Sequence, residues 1–327
     1  MNILVIGGAG YIGSVVVERL IKNHKIVVLD DLSTGFKELV HKDAKFVLGT
    51  MLDQKLVENI IKENSIELVI CLAAKIVVPE SVAKPLEYYE TNIHGIINVV
   101  QALKNTNCKN IIFSSSAAVY GVPKSVPIRE DDIKDPCNPY GRSKLACEWV
   151  ITDAAKVCDI NYAIFRFFNI AGASSSNDYG MMKKKPSLLI SCINDCFINN
   201  KVFNIYGNQY NTIDKTALRD YVHVSDLASA HELAIEMLKQ NKSGIFNLGS
   251  GTGYTVKQVY DTAVAILNQK SNFVYQPNRP GDPDKLLTDY SLANKVLGWK
   301  PTHSLTEMIV DDFNFRNKHC KSNIELI

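Results

Sequence analysis

The sequence predicts an α/β fold, in which a doubly wound parallel sheet of the Rossmann type is followed by a smaller C-terminal α/β region. Three observations support this prediction. Short runs of β-branched residues alternate with helix-length segments, and a glycine-rich turn follows the first run. After about residue 170 this regular alternation gives way to a mixed pattern. Parallel neighbouring strands need a crossover of about a dozen residues, and this alternation provides that spacing.

The predicted elements of the first half alternate between strand and helix. The strands are expected at Ile3–Ile6, Ile26–Leu29, Lys45–Leu48, Leu68–Leu72, Asn110–Phe113 and Tyr162–Arg166. The helices are expected at Gly13–Lys22, Gln54–Glu63, Leu86–Asn105 and Tyr140–Cys158. This series ends near residue 170, so residues 1–172 are predicted to form the sheet domain.

The second part of the chain has a different pattern. Residues 173–186 are polar and interrupted by glycine and proline, which predicts a mobile loop. Beyond it we expect helices at Leu188–Asn199, Val224–Lys239 and Val256–Asn268, strands at Val202–Tyr206 and Gly244–Leu248, and a Pro/Gly-rich segment at Gln276–Pro283. Residues 173–327 are therefore predicted to form mainly a substrate-binding region, with some segments returning to the sheet domain.

Composition and charge argue against several classes of protein. The 327 residues are 46% hydrophobic and 21% charged, with 36 basic and 34 acidic residues and a formal net charge of +2. This balance favours neither nucleic acid nor a membrane surface as a partner, and no apolar run reaches membrane-spanning length.

The cysteines point to a reducing compartment. Eight of them are scattered without a CxxC pair, and no histidine lies near Cys192 and Cys196 to complete a zinc site, so no metal is expected. Scattered cysteines of this kind typically serve as small buried hydrophobic residues in a reducing compartment. The chain begins with a strand pattern rather than a signal peptide, and we expect a soluble cytoplasmic protein.

The glycine-rich turn predicts a dinucleotide site. Gly7, Gly10 and Gly13 stand between the first strand and the first helix. Glycine permits positive φ and close approach to a pyrophosphate, and the helix N-terminus offers free N–H groups. Asp30 and Asp31 end the second strand, where a carboxylate binds ribose hydroxyls and repels a 2′-phosphate, so NAD is favoured over NADP. The alternative is that these residues only shape and cap a turn.

Tyr140 and Lys144 form a candidate catalytic pair, because residues four apart are neighbours on a helix face. A nearby cation lowers the pKa of a phenol toward neutrality, so Tyr140 could act as a general base on a sugar hydroxyl. Ser116 follows the predicted strand Asn110–Phe113 at the ligand-binding edge of the sheet, and could hydrogen-bond the same oxygen. The alternatives are an exposed helix pair without chemistry and a serine that only caps a loop or helix.

A set of motifs between residue 1 and about residue 312 resembles a known family. The motifs are Gly-Gly-Ala-Gly-Tyr-Ile-Gly-Ser (7–14), Glu-Ser-Val (80–82), Lys-Pro-Leu-Glu-Tyr-Tyr (84–89), Asn92, Ser-Ser-Ser-Ala-Ala-Val-Tyr-Gly (114–121), Pro-Tyr-Gly-Arg-Ser-Lys (139–144), Arg-Phe-Phe-Asn (166–169), Arg-Asp-Tyr-Val-His-Val (219–224), Asn-Leu-Gly-Ser-Gly (247–251) and Arg-Pro-Gly-Asp (279–282). Together they resemble the extended short-chain dehydrogenase/reductases, and among these the enzymes that epimerise UDP-hexoses at C4. The resemblance implies NAD as cofactor, a UDP-sugar as substrate and a homodimer built on the helices Leu86–Asn105 and Tyr140–Cys158.

The resemblance also implies roles for individual residues. Tyr140 would be the base, Lys144 its partner on the nicotinamide ribose, and Ser116 the serine at the sugar hydroxyl. The residues expected at the cofactor are Gly7, Gly10, Tyr11, Ile12, Gly13, Asp30, Asp31, Ser33, Met51, Leu52, Leu72, Ala73, Ala74, Lys75, Asn92, Ser114, Tyr140, Lys144 and Phe167. Those expected at the substrate are Ser116, Asn169, Ser187, Leu188, Asn204, Tyr206, Arg219, Tyr221, Arg279, Asp282 and Leu286.

Within the substrate set, arginine suits phosphate because its planar fork can bind two oxygens. Arg219 and Arg279 would lie on the pyrophosphate, with Asn169 at the phosphates and Asp282 on the uridine ribose. His223, in the same motif as Arg219, is expected to be structural.

Three positions depart from the family pattern. Lys75 stands one position earlier than the family's lysine, and Thr50 replaces an aspartate after the third strand. The segment 187–190, Ser-Leu-Leu-Ile, replaces an Asn-Leu-x-Pro segment of the nucleotide site. No catalytic position is lost.

The implied reaction interconverts UDP-glucose and UDP-galactose without net redox change. Tyr140 would remove the 4-hydroxyl proton while hydride passes from C4 to NAD, and after the 4-keto sugar has turned over the hydride returns to its other face. A C4 epimerase of UDP-N-acetylhexosamines or UDP-uronates stays open, although the bulk of Leu286 favours plain hexoses unless that residue only packs in the core.

Two further alternatives are less favoured. A 4,6-dehydratase would carry an acidic pair where this chain has Ala117-Ala118. A non-catalytic NAD sensor would have no chemical reason to retain Ser116, Tyr140 and Lys144 together.

Overall fold

The computed structural model describes residues 1–270, 272–279 and 282–321. Pro280 and Gly281, in the Arg-Pro-Gly-Asp motif and in the predicted segment Gln276–Pro283, lie outside the described residues. The chain divides into two units. The first consists of residues 1–121, 133–167 and 228–246, and the second of residues 122–132, 168–227 and the described residues from 247 onward.

Strands and helices alternate along most of the chain. The strands are β1 (Asn2–Ile6), β2 (Lys25–Asp30), β3 (Lys45–Leu48), β4 (Leu68–Cys71), β5 (Asn110–Ser116), β6 (Asn161–Phe167), β7 (Asn169–Ala171), β8 (Phe203–Tyr206), β9 (Leu218–His223), β10 (Gly244–Leu248), β11 (Gly253–Thr255), β12 (Phe273–Gln276) and β13 (Lys285–Leu286). The α-helices are α1 (Tyr11–Leu20), α2 (Gln54–Glu63), α3 (Val78–Ala83), α4 (Pro85–Tyr88), α5 (Gly95–Lys104), α6 (Pro139–Cys158), α7 (Leu189–Ile198), α8 (Val224–Lys239), α9 (Val256–Ile266), α10 (Ser291–Leu297) and α11 (Leu305–Lys321). A π-helical turn, Tyr89–His94, joins α4 to α5, and 3₁₀ turns occupy Lys37–Leu39 and Ala117–Tyr120.

The predicted Rossmann-type sheet is confirmed. Seven strands lie in the order β3-β2-β1-β4-β5-β6-β10, and β1 to β6 pair in parallel. Residues 3–6 of β1 and 68–71 of β4 are buried throughout, as expected for strands covered on both faces. The strand order reverses between β1 and β4, and ligands of such sheets bind beyond the carboxyl ends of the strands at this switch point.

Short mixed sheets and helices make up the second unit. In one sheet β9 pairs with β11, β13 and β7, while β8 and β12 form a separate parallel pair. Helices α7, α9 and α11 pack together over an apolar core that includes Ile193, Tyr260 and Ile309. Thr255 and Gln258 form a capping box that starts α9.

Most predicted elements lie within two residues of the observed ones, and several elements were missed, including the long helix α11. The predicted helix Leu86–Asn105 consists of α4, the π-helical turn and α5, and residues 173–186 contain no helix or strand, as predicted. The missed elements are α3, β7, β9, β11, β12, β13, α10 and α11. The strand β9 reads Leu-Arg-Asp-Tyr-Val-His, and its buried charged residues hide the apolar pattern of a core strand.

No helix in the described ranges has both the length and the apolar character that a membrane span requires. The seven cysteines whose side chains the structure describes are free thiols.

Two stacked histidines join β9 to the segment before α11. The rings of His223 and His303 are 4.1 Å apart and nearly parallel, and His223 is fully buried. The Asp226 carboxylate accepts hydrogen bonds from Nδ1 of His303 (2.8 Å) and from the hydroxyl of Thr302 (2.7 Å). The hydrogen bond to Asp226 raises the pKa of His303. Although burial acts in the opposite direction, the bonds from His303 and Thr302 lower the pKa of Asp226.

The His303–Asp226 pair should make stability depend on pH. A histidine with a raised pKa stabilises the fold below its unfolded value of 6.5, and this contribution is lost as pH rises through the folded pKa. His303→Ala should therefore lower the free energy of unfolding by about 1 kcal/mol more at pH 6 than at pH 9, measured by urea unfolding. In an Asp226→Asn background the same substitution should show no pH-dependent difference, and equal losses at both pH values in the parent would contradict the assignment.

Candidate active site

The turn after β1 brings three backbone segments into contact. Gly7 has a φ of +85°, and its N–H donates to the carbonyl of Leu29 (2.8 Å). A Cβ on Gly7 would lie 2.6 Å from the N atom of Ala73, and one on Gly13 would lie 2.1 Å from the carbonyl oxygen of Gly7. Only glycine fits at these two positions, so α1 packs directly on the turn after β1, and that turn packs directly on the segment after β4.

Helix α1 begins beside this turn with an uncapped end. Its N-cap is Gly10, no side chain caps the helix there, and its first turn contains no acidic residue. The first N–H groups of a helix have no partner within the helix, and they attract anions. These glycines and the open helix end fit the pyrophosphate of NAD.

Asp30 and Asp31 have different surroundings at the end of β2. The carboxylate of Asp30 accepts hydrogen bonds from the N–H groups of Ala9 (3.0 Å) and Leu32 (2.9 Å). Burial raises the pKa of Asp30, and these two bonds act in the opposite direction. Asp31 is exposed and accepts from the N–H (2.9 Å) and hydroxyl (2.6 Å) of Ser33. Asp30 thus holds the turn, while Asp31 presents a carboxylate at the surface.

Asn92 and Lys75 contact each other and other protein groups. The side-chain oxygen of Asn92 accepts from the N–H of Lys75 (2.9 Å), and its amide nitrogen donates to the carbonyl of Lys75 and the hydroxyl of Ser143. The ammonium of Lys75 pairs with Glu87. Asn92 therefore fixes the segment after β4, and direct contact of either residue with a cofactor stays a prediction.

The other predicted cofactor residues share one edge of the sheet. They lie at the carboxyl ends of β1 to β6 or in the segments that follow them: Tyr11, Ile12, Ser33, Met51, Leu52, Leu72, Ala73, Ala74, Ser114 and Phe167. All six strands are parallel, so their carboxyl ends meet at this edge.

Helix α6 carries Tyr140 and Lys144 and begins against the turn that follows Ser116. The side chain of Asn138 accepts from the N–H of Gly141 (2.9 Å), and Pro139 occupies the first helical position. A Cβ on Gly141 would lie 2.5 Å from the carbonyl oxygen of Ala118, so the helix and the 3₁₀ turn touch.

Ser116 and Tyr140 are brought together by this packing. The hydroxyl of Ser116 lies close enough to the phenol of Tyr140 to act on its pKa, and it accepts from the N–H of Ala118 (3.2 Å). Burial of Lys144 lowers the pKa of its ammonium, which donates to the carbonyl of Ser114 (2.7 Å).

The expectation that Lys144 lowers the pKa of Tyr140 is wrong for this arrangement. The pKa of Tyr140 is raised, because burial outweighs the opposing effect of the nearby Ser116 hydroxyl. The ammonium of Lys144 is held instead by a backbone carbonyl.

A buried polar network behind these residues was missed in the sequence. Glu148 and Arg166 form a buried ion pair (2.7 Å), with Ser115 and Tyr120 hydrogen-bonded to it. The available signal was the position of Glu148, one helical turn after Lys144, together with the arginine of the Arg-Phe-Phe-Asn motif.

In the second unit, Arg219 and Asp282 form an ion pair of 2.6 Å. The hydroxyl of Tyr210 donates to the same carboxylate (3.3 Å), and Arg219 also donates to the carbonyl of Leu218 (2.8 Å). Leu286 pairs with Arg219 across β13 and β9. The structure thus brings three of the predicted substrate residues together.

Asp220 orders the same sheet and was also missed. It is fully buried, and its carboxylate accepts from the N–H groups of Ser250, Gly251 and Thr288. Burial raises the pKa of Asp220, and these hydrogen bonds act in the opposite direction. The side chain of Asn169 donates to the backbone carbonyl of Asp220 (2.8 Å), so this residue holds β7 on β9.

The remaining predicted substrate residues lie in several elements of the second unit. The guanidinium of Arg279 stacks on the ring of Tyr206 (4.4 Å), while Asn204 accepts from Gln276. Tyr221 is buried opposite Asn169 in the register of β9 and β7, and burial raises its pKa. Ser187 and Leu188 directly precede α7.

Comparisons with known proteins agree with this geometry. The pattern described as the NAD dependent epimerase/dehydratase family matches residues 3–249. The chain is 42% identical over 325 residues to the UDP-glucose 4-epimerase of Lactobacillus helveticus, and the match covers 98% of each chain. A UDP-glucose-4-epimerase structure from Stenotrophomonas maltophila, with bound NAD and formylated UDP-arabinopyranose, superposes with a TM-score of 0.95 at 34% identity, covering 98% of this chain and 99% of the other. The Brucella ovis UDP-glucose 4-epimerase in complex with NAD gives 0.92 at 36% identity, with 95% and 97% covered.

Gly13→Ala should disrupt the glycine turn, because the added Cβ meets the backbone of Gly7. We expect the free energy of unfolding to fall by about 1–3 kcal/mol and the purified protein to lose its bound dinucleotide. The control is Gly298→Ala, at a φ of +70° with nothing within 4 Å of the added Cβ. The control should lose only about 1 kcal/mol through backbone strain and keep its dinucleotide. Retention of NAD by Gly13→Ala would contradict the assignment of this turn.

Proposed function

Because this chain belongs to the NAD dependent epimerase/dehydratase family, we propose that it is an isomerase that interconverts UDP-glucose and UDP-galactose with NAD as a resident cofactor. The observation that carries the proposal is the placement of Ser116 beside Tyr140, one helical turn from the buried Lys144. The names and bound ligands of the relatives support the substrate class and the cofactor.

Tyr140 and Ser116 perform the proton transfer. Tyr140 rests as a phenol, because its pKa is raised, and a positive charge beside it favours the phenolate. The phenolate takes the proton of the sugar 4-hydroxyl and later returns it, while Ser116 hydrogen-bonds the reacting oxygen. Held by the glycine turn and Lys144, NAD would supply hydride transfer at C4 and the positive charge of its nicotinamide ring.

The second unit supplies the nucleotide contacts. We assign Arg219 and Arg279 to the pyrophosphate, Asn169 to the phosphates and Asp282 to the uridine ribose. Arg219 is held by Asp282 and by the backbone of Leu218, so its guanidinium is already fixed in orientation. Binding energy at UDP keeps the 4-keto sugar bound while it turns over.

The structure also bears on the competing substrates. Leu286 lies on β13 beside Arg219, and its bulk favours plain hexoses over N-acetylated ones. Ala117 and Ala118 form the turn after Ser116, where a 4,6-dehydratase needs acidic side chains.

We also propose a cytoplasmic homodimer. Leu86 is 79% exposed and Trp149 is 60% exposed, and they lie on two of the helical segments that the resemblance assigns to a dimer interface. Large exposed apolar side chains favour burial in an interface. Sedimentation velocity should show that the parent protein is a dimer and that Trp149→Glu weakens this dimer. A parent protein that is monomeric at micromolar concentration would refute the proposed homodimer.

The activity is tested with a panel of UDP-galactose, UDP-N-acetylgalactosamine and UDP-galacturonate, run without added NAD. We expect UDP-glucose to form from UDP-galactose, with products resolved by NMR.

Tyr140→Phe should lower kcat by about 10²–10⁴-fold while NAD content and UDP affinity are kept, because only the base is removed. The control Tyr275→Phe changes an exposed tyrosine and should behave as the parent. NAD binding without turnover of any UDP-sugar would favour a non-catalytic NAD sensor. Near-normal activity of Tyr140→Phe would exclude Tyr140 as the base.

A further inference from the structure

We propose that Glu148 is a positioning residue for the proton-transfer pair Ser116 and Tyr140, acting through the buried ion pair that fixes α6 to β5. The inference rests on the proposed function, since that function assigns the proton transfer to this pair.

Four elements of the first unit meet at the ion pair of Glu148 and Arg166. The carboxylate of Glu148 accepts from Nε (3.0 Å) and Nη2 (2.7 Å) of Arg166 on β6, and from the hydroxyl of Ser115 on β5. Nη1 of Arg166 donates to the hydroxyl of Tyr120 (2.7 Å) in the 3₁₀ turn after Ser116. Each of these four side chains belongs to a residue that is 2% exposed. The network therefore joins the helix to both strands and to the turn on which the catalytic groups lie.

The register of these contacts fixes the helix against the strand. Lys144 and Glu148 follow Tyr140 at intervals of four residues, so the three side chains share one helix face. Lys144 donates to the carbonyl of Ser114, and Glu148 accepts from Ser115. Successive turns of α6 are thus bound to successive residues of β5, and the next residue of that strand is Ser116. This double attachment sets the rotation of α6 and with it the place of the phenol.

Stability alone does not account for the ion pair. Burying two charges costs several kcal/mol per ion, and well-packed apolar side chains of similar size often stabilise a protein equally well or better. A carboxylate with three donors specifies distance and orientation, which an apolar contact does not. Glu148 also acts on Lys144: burial lowers the pKa of that ammonium, and Cys147, Cys71 and Glu148 act in the opposite direction.

Two variants separate positioning from stability. Ser115→Ala removes only the hydroxyl that binds Glu148, and the double variant Glu148→Met/Arg166→Met replaces both charges with apolar side chains. For each folded variant we expect kcat for UDP-galactose to fall at least about tenfold with KM within about twofold, and the rising limb of the kcat–pH profile to move to higher pH. The control Thr152→Val removes a hydroxyl that bonds the backbone of the same helix, and should leave both readouts unchanged. A folded double variant with parental kcat and pH profile would overturn the proposal, and if the double variant does not fold, Ser115→Ala decides alone.

A second readout does not depend on turnover. In protein labelled with ¹³Cζ-tyrosine, the signal of Tyr140 is identified by its loss in Tyr140→Phe. We expect that signal to shift in Ser115→Ala, because the position of the Ser116 hydroxyl relative to the phenol changes, and to stay in place in Thr152→Val. If the parent protein epimerises no UDP-sugar but the Tyr140 signal still shifts in Ser115→Ala, the proposed function is rejected and the positioning role is retained. If Ser115→Ala is active and its Tyr140 signal does not shift, the positioning role is rejected and the proposed function is retained.

Discussion

The close contact between helix α6 and the carboxyl end of β5 is the constraint on which the proposed catalytic groups depend. Gly141 leaves no room for a Cβ against the carbonyl of Ala118, and Lys144 donates its buried ammonium to the carbonyl of Ser114. Moving the helix outward would leave a buried charge without its partner, which is far more costly than losing a surface contact. Because Tyr140 and Ser116 lie on these two elements, their proximity follows from the packing of the whole sheet domain.

The glycine turn imposes a comparable constraint at the end of β1, which is separated from β5 by β4. Gly13 lets α1 touch the turn after β1, and Gly7 lets that turn touch Ala73 after β4, so the start of the helix lies at the switch point between β1 and β4. The predicted cofactor residues come from segments far apart in the chain, yet parallel pairing puts all of them at one edge. One sheet thus carries both the glycine turn, after β1, and Ser116, at the end of β5.

Local spacing made much of this arrangement predictable from the sequence. The three glycines, the Tyr-x-x-x-Lys pair and the strand–helix alternation each express a requirement within a few residues of chain. What could not be predicted depends on partners brought together by the fold. Arg219 meets Asp282, and the buried Asp220 of β9 is satisfied by N–H groups at Ser250 and Thr288. Without those partners, a strand reading Leu-Arg-Asp-Tyr-Val-His resembles an exposed segment. The raised pKa of Tyr140 likewise depends on burial, which the spacing of two side chains does not reveal.

That raised pKa explains why a resident cofactor suits the proposed reaction. Burial disfavours the phenolate of Tyr140 and the ammonium of Lys144 when each is considered alone. Opposite charges formed together in a site of low dielectric stabilise each other, so a further positive charge beside the phenol shifts the balance toward the base. Oxidised NAD carries such a charge and its reduced form does not. The phenol would then be activated while the sugar awaits oxidation, and would hold its proton more firmly while the keto sugar is reduced. The protonation state of Tyr140 thereby follows the direction of hydride transfer, which requires that the cofactor stay in place through both half-reactions.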